Sequence, residues 1–70
     1  MKNTIQKRRE IIEAAAGAAL ARTRGDEQGA QAYVDEAGEL FRRQPNEQSA
    51  ARHLFNETYR NEWVSLHAVA

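Results

Sequence analysis

The sequence predicts an all-α fold, a small three-helix bundle built as a helical hairpin plus a third amphipathic helix. Two stretches carry apolar residues at three- and four-residue spacing, a third is dominated by alanine, and none alternates as a strand does. Gly25 and Pro45 divide the chain into three segments of helical length. The spans this predicts are about 4–22, 27–43 and 47–67, within a single helical domain covering 1–70.

Asn3 or Thr4 can cap the first helix, and Gln6 lies three residues after Asn3 in a capping-box pattern. At about 100° per residue, Ile5, Ile12, Ala16 and Ala19 share one face, flanked by Ala15 and Ile11 on one side and Leu20 on the other. The run from Ala14 to Ala21 holds one side chain larger than a methyl group, Leu20. Such a surface lets another helix approach closely while offering it little apolar area. Arg24 suits the negative end of the helix dipole, and Gly25 suits a left-handed stop. Arg24-Gly25-Asp26 therefore reads as a helix stop followed by a cap rather than as an adhesion tripeptide.

Asp26 is a natural N-cap for the second helix, and Glu27 adds favourable negative charge to its first turn. Ala30, Tyr33, Val34, Ala37, Leu40 and Phe41 form the clearest helical stripe in the chain. Pro45 disfavours helical geometry at Gln44, so the helix should end near Arg43. Asn46 is then placed to cap the third helix. Along that helix Ala51, Leu54, Phe55, Tyr59, Trp63 and Leu66 cover nearly half the circumference, with Thr58 and Glu62 inside the arc.

Composition bounds what these helices can do. Seventy residues bury only about 60% of the surface that the unfolded chain exposes. The chain has no cysteine, which leaves self-association or a standing partner as the way to supplement a thin core. A homodimer is the expected state, closed either through helix one, with Ile12, Ala16 and Ala19, or through helix three, with Phe55, Glu62 and Leu66. An isolated buried carboxylate is very costly, so Glu62 should either pair across the dimer with a basic residue such as Arg8 or Arg22 or turn with helix three to reach solvent.

Net charge is zero but unevenly placed. Through Gly25, six cations (Lys2, Lys7, Arg8, Arg9, Arg22, Arg24) against Glu10 and Glu13 give +4. Asp26, Glu27, Asp35, Glu36 and Glu39 give −5, and the remainder from Arg42 gives +1. Helices one and two should attract each other as a hairpin. Lys2, Lys7, Arg8 and Arg9 before an apolar stretch ending in Ala19-Leu20-Ala21 imitate a secretory signal, but Glu13 interrupts it and leucine is scarce. No segment approaches the ~20 apolar residues of a membrane span. A cytoplasmic location is expected, and size with alanine and arginine usage suggests a bacterial or phage protein.

Arg52, Asn56, Tyr59, Trp63 and His67 run along one edge of helix three at steps of three or four residues. Trp, Tyr and Arg each join a large body to a directional polar end, which makes them frequent anchors at protein interfaces. The leading functional expectation is a small protein-binding regulator, adaptor or inhibitor that occupies a partner protein's surface. The bland reading of the same residues is that Tyr59 and Trp63 close the rim of the core.

The alternative is a small DNA-binding transcriptional regulator using Lys7, Arg8 and Arg9 with Gln48 and Arg52 near the start of helix three. Zero net charge, a long second helix and Glu47 facing the phosphates speak against it. No nucleophile elbow or phosphate loop is present, so no enzyme and no cofactor are expected. His53 and Glu57 could touch a metal, but two ligands without a third do not make a site. Ala14-Ala15-Ala16-Gly17, followed later by Gln44-Pro45 and an aromatic helix, resembles theta-like accessory subunits of bacterial replicative polymerases. The intervening segment is too long and the rest departs from that pattern, so no function is carried over.

Overall fold

The computed structural model describes residues 4–68, which form three helices packed as a bundle. Helix α1 spans Thr4–Thr23, α2 spans Glu27–Arg42, and α3 spans Gln48–His67 after a single 3-10 turn at Pro45–Glu47. The expected cap Asn3 lies outside the described residues, as do Lys2 and the first residues of the signal-like stretch.

The first turn forms as its residues dictate. Gly25 takes φ +79, the left-handed conformation that a side chain would strain. Its N–H donates to the Arg22 carbonyl at 3.1 Å, and the Asp26 N–H donates to the Ala21 carbonyl at 2.9 Å. These two bonds satisfy carbonyls that the helix end would otherwise leave unpaired. One residue later Asp26 Oδ1 accepts from the Gly29 N–H at 2.9 Å and starts α2.

The second turn departs from expectation in one respect. Gln44 leaves the helical region, at φ −133 and ψ 63, as expected for a residue before proline. Asn46, however, does not cap α3. It lies inside the 3-10 turn, and the N-cap position falls to Glu47, whose side chain makes no capping bond. Proline at the first position of that turn already fixes helical φ, so the chain winds into α3 without a side-chain acceptor.

Helix α1 is the centre of the molecule. It packs along both α2 and α3, which touch each other sparsely. Ile11 shares a buried cluster with Leu40 of α2 and Ala51 of α3, and Gly17 lies beneath Tyr33, so α2 runs antiparallel to α1. Phe41, Leu54 and Phe55 pack against that cluster. At the other end Arg22 meets Tyr59, so α3 runs parallel to α1.

The buried face of α1 consists of Ile11, Ala14, Ala15, Ala18 and Ala19, and the four alanines are at most 2% exposed. That face is centred about a quarter-turn away from the one periodicity suggested. Ile5 is 69% exposed and Leu20 is 37% exposed, while Ile12 and Ala16 are half-buried. Alanine covers α1 almost all round, so hydrophobic pattern alone does not orient it. Its orientation follows from the need to bring two helices close at once.

Gly17 is part of that close approach, and its neighbour is Tyr33 of α2. A Cβ at Gly17 would lie 2.5 Å from Tyr33 Cε1, well inside van der Waals contact. The charge blocks do not zip the hairpin along its length. They meet at the turn, where Arg22 Nε lies 3.3 Å from Glu27 Oε2, while Asp35, Glu36 and Glu39 stay exposed.

Candidate functional site

The chain's largest side chains are gathered on α3 and left half-covered. Ala51 is the one buried residue of that helix among those described. Phe55, Tyr59 and Trp63 are half-buried, and His67 is exposed. Four-residue spacing drifts about 40° per step around a helix, which carries the row from the core edge at Phe55 out to solvent at His67.

These rings form a continuous stack. Phe41 of α2 meets Phe55 edge-on, with centroids 6.2 Å apart. Phe55 and Tyr59 are nearly parallel at 6.4 Å, and Tyr59 and Trp63 at 6.1 Å. The Trp63 and His67 rings lie 3.9 Å apart. His67 Nδ1 is 2.8 Å from the Trp63 carbonyl, and since a carbonyl can only accept, Nδ1 carries the proton and donates. In the neutral ring, Nε2 is then left as an acceptor at the end of the row.

Cations grip the stack at two points. Arg22 donates through Nη1 to the Tyr59 hydroxyl at 2.7 Å, with Cζ 5.6 Å from the ring centroid. The same guanidinium reaches Glu27, so one side chain of α1 ties the first turn of α2 to the middle of α3. The hydrogen bond to Tyr59 and the electrostatic interaction with that same residue, with a smaller contribution from Glu27, hold the Arg22 pKa above its ordinary value. Farther along, Arg52 Cζ lies 5.4 Å from the Phe41 ring centroid, within cation–π range.

The predicted ridge therefore lies on one side of α3, but its members differ. Tyr59, Trp63 and His67 belong to the stack, Arg52 covers its α2 end, and Asn56 is exposed beside it. Periodicity did not identify Phe41 as the start of the row or Arg22 as its clamp. Both depend on which turns of different helices meet, and a single helix's spacing holds no signal for that.

Other candidates are scattered. Ala19 is fully buried within the single chain and has no surface for a second copy. Phe55 belongs to the core edge, and Leu66 is 38% exposed. Glu62 is half-buried and forms no ion pair with a described residue, and Arg22 is taken by Tyr59 and Glu27 instead.

Lys7 and Arg8 line a shallow cleft of about 240 Å³ with Glu47 of the 3-10 turn and Ala50 and Leu54 near the start of α3. Lys7 and Arg43 line a second of about 210 Å³. Exposed Arg9 lies outside both clefts, as does half-buried Gln48, and Arg52 is held over Phe41.

His53 Nε2 and Glu57 Oε2 are 3.5 Å apart and exposed. No group of three possible metal ligands occurs among the described residues, and no described helix is long and apolar enough to cross a membrane.

No family model, curated protein or solved structure matches this chain.

Proposed function

We propose that this chain is a small cytoplasmic regulator, adaptor or inhibitor, of bacterial or phage type, that works by laying the α3 ridge against another protein. The observation that carries this reading is the stack from Phe41 to His67. In so small a bundle the bulkiest rings would fill a core if they were needed there, yet Tyr59 and Trp63 stay half-open and the alanines take the interior. Rings already stacked and clamped lose little side-chain freedom on binding, which favours affinity. Trp63 is the central anchor, Tyr59 and Arg52 flank it, and His67 Nε2 offers a polar contact at the end.

The test is affinity capture from the native host with wild type and Trp63→Ala, with Val64→Ser on the neighbouring exposed surface as control. One specific band lost with Trp63→Ala, kept with Val64→Ser and accompanied by unchanged helicity supports the ridge. Identical capture by both variants, or collapse of the fold in Trp63→Ala, overturns it.

A second reading, binding to nucleic acid, is favoured by the gathering of Lys7, Arg8 and Arg43 around the start of α3. Glu47 lines both clefts and opposes it. Phosphate contacts impose a steep loss of affinity with salt, so absence of DNA binding at low salt removes this reading.

A further inference from the structure

The side of α1 turned away from the core carries a row that neither α2 nor α3 covers. Ile5, Arg9, Ile12, Glu13, Ala16 and Leu20 fall within an arc of about 100° on an ideal helix. Ile5 is the most exposed large hydrophobic residue described, at 69%, and Leu20 stands four turns away at 37%. Arg9 and Glu13 are both exposed and form no ion pair with a described residue. Within one helix, a cation placed four residues before an acid is the weaker orientation for pairing.

We infer that this row is the interface of a homodimer in which two α1 helices pack antiparallel about a two-fold axis between Ile12 and Glu13. The row is complementary to itself when reversed. The axis sets Ile5 of each copy opposite Leu20 of the other and Arg9 opposite Ala16, while the two Ile12 side chains meet on one flank and the two Glu13 side chains meet on the other, between the two Arg9. Each Arg9 then lies about 4.5 Å along the axis from Glu13 of the other copy, within reach of its side chain, and the symmetry makes that ion pair twice.

Ala16 leaves room for the Arg9 stem, and the helices can close until Ile5 and Leu20 touch. A two-fold interface requires this kind of match of one patch with itself. A basic or acidic partner would leave one of the two charges opposed. The same packing supplies apolar burial that the single chain lacks, for none of the large side chains among the described residues is fully buried.

Sedimentation equilibrium over a wide concentration range tests the dimer, with circular dichroism checking the fold of each variant. Wild type is expected to shift from monomer to dimer with concentration, and Leu20→Glu should weaken association by at least about tenfold, the equivalent of ~1.4 kcal/mol. Arg9→Glu and Glu13→Arg should each weaken it, and the double exchange Arg9→Glu/Glu13→Arg should restore it. A wild type that stays monomeric at every concentration overturns the inference. So does a dimer indifferent to Leu20→Glu, or one that the double exchange fails to rescue.

Discussion

Helices α1 and α3 divide the work of this bundle in the reverse of the usual order. The helix with the smallest side chains is the most buried, and the helix with the largest is among the least. Five residues of α1 are buried against one of α3. Position in the bundle explains this better than hydrophobicity does. A central helix must admit neighbours on two sides, and methyl groups permit that where leucines would hold the axes apart. The apolar bulk removed from the centre is then free for surfaces. On α3 it becomes an aromatic row held in place by Arg22, and on the outer side of α1 it becomes the Ile5 to Leu20 row.

The strongest way to break this comparison is to delete bulk from each helix and compare losses. Ile11 is the large aliphatic residue that α1 contributes to the buried cluster with Leu40 and Ala51. Its replacement by alanine should cost about 2–5 kcal/mol, the range for truncating a buried aliphatic side chain. Trp63→Ala removes more atoms but from a half-open site, and should cost about 1 kcal/mol, well below the ~3–5 kcal/mol of a buried tryptophan. Urea unfolding of both variants gives the answer. If Trp63→Ala costs as much as Ile11→Ala, the ring is core and the ridge is no recognition surface.

A second comparison sets two alanines of α1 against each other. Ala19 is fully enclosed, whereas Ala16 is half-buried toward the outer row. Ala19→Leu should overpack the seam and cost about 1–3 kcal/mol. Ala16→Leu should change the stability of the monomer by no more than about 0.5 kcal/mol, as outward substitutions do. Thermal unfolding of dilute samples, where association is suppressed, separates the two.

The same pair shows how far the sequence could be read. The number of helices, the Gly25 stop and the Asp26 cap follow from local chemistry, because each involves residues a few positions apart. Helix α2 was also legible, since its apolar stripe and charged side are distinct. The rotation of α1 was not, because alanine offers a nearly uniform surface, and the expected face including Ile5 turned outward. Asn46 misled for a related reason. Its preference for capping is real, but Pro45 had already fixed the backbone one residue earlier. At the candidate site, the row along α3 was visible as spacing, whereas its attachment to Phe41 and Arg22 depends on the register between helices.

The smallest expected effect concerns two helical glycines, and it separates close approach from mere tolerance. A Cβ added at Gly38, within α2, meets nothing within 4 Å. Gly38→Ala should therefore stabilise the fold by about 0.5–1 kcal/mol, the gain expected when alanine replaces glycine in a helix interior. At Gly17 the same propensity gain is opposed by the Tyr33 ring, three of whose atoms would lie within 2.8 Å of the new methyl. Because Tyr33 is 39% exposed, its ring can swing outward, so Gly17→Ala should unfold at a lower temperature than wild type without collapsing. Calorimetry on both variants is decisive: if Gly17→Ala gains as much as Gly38→Ala, Tyr33 does not pin α2 to α1, and the close packing of these helices rests on the alanines alone.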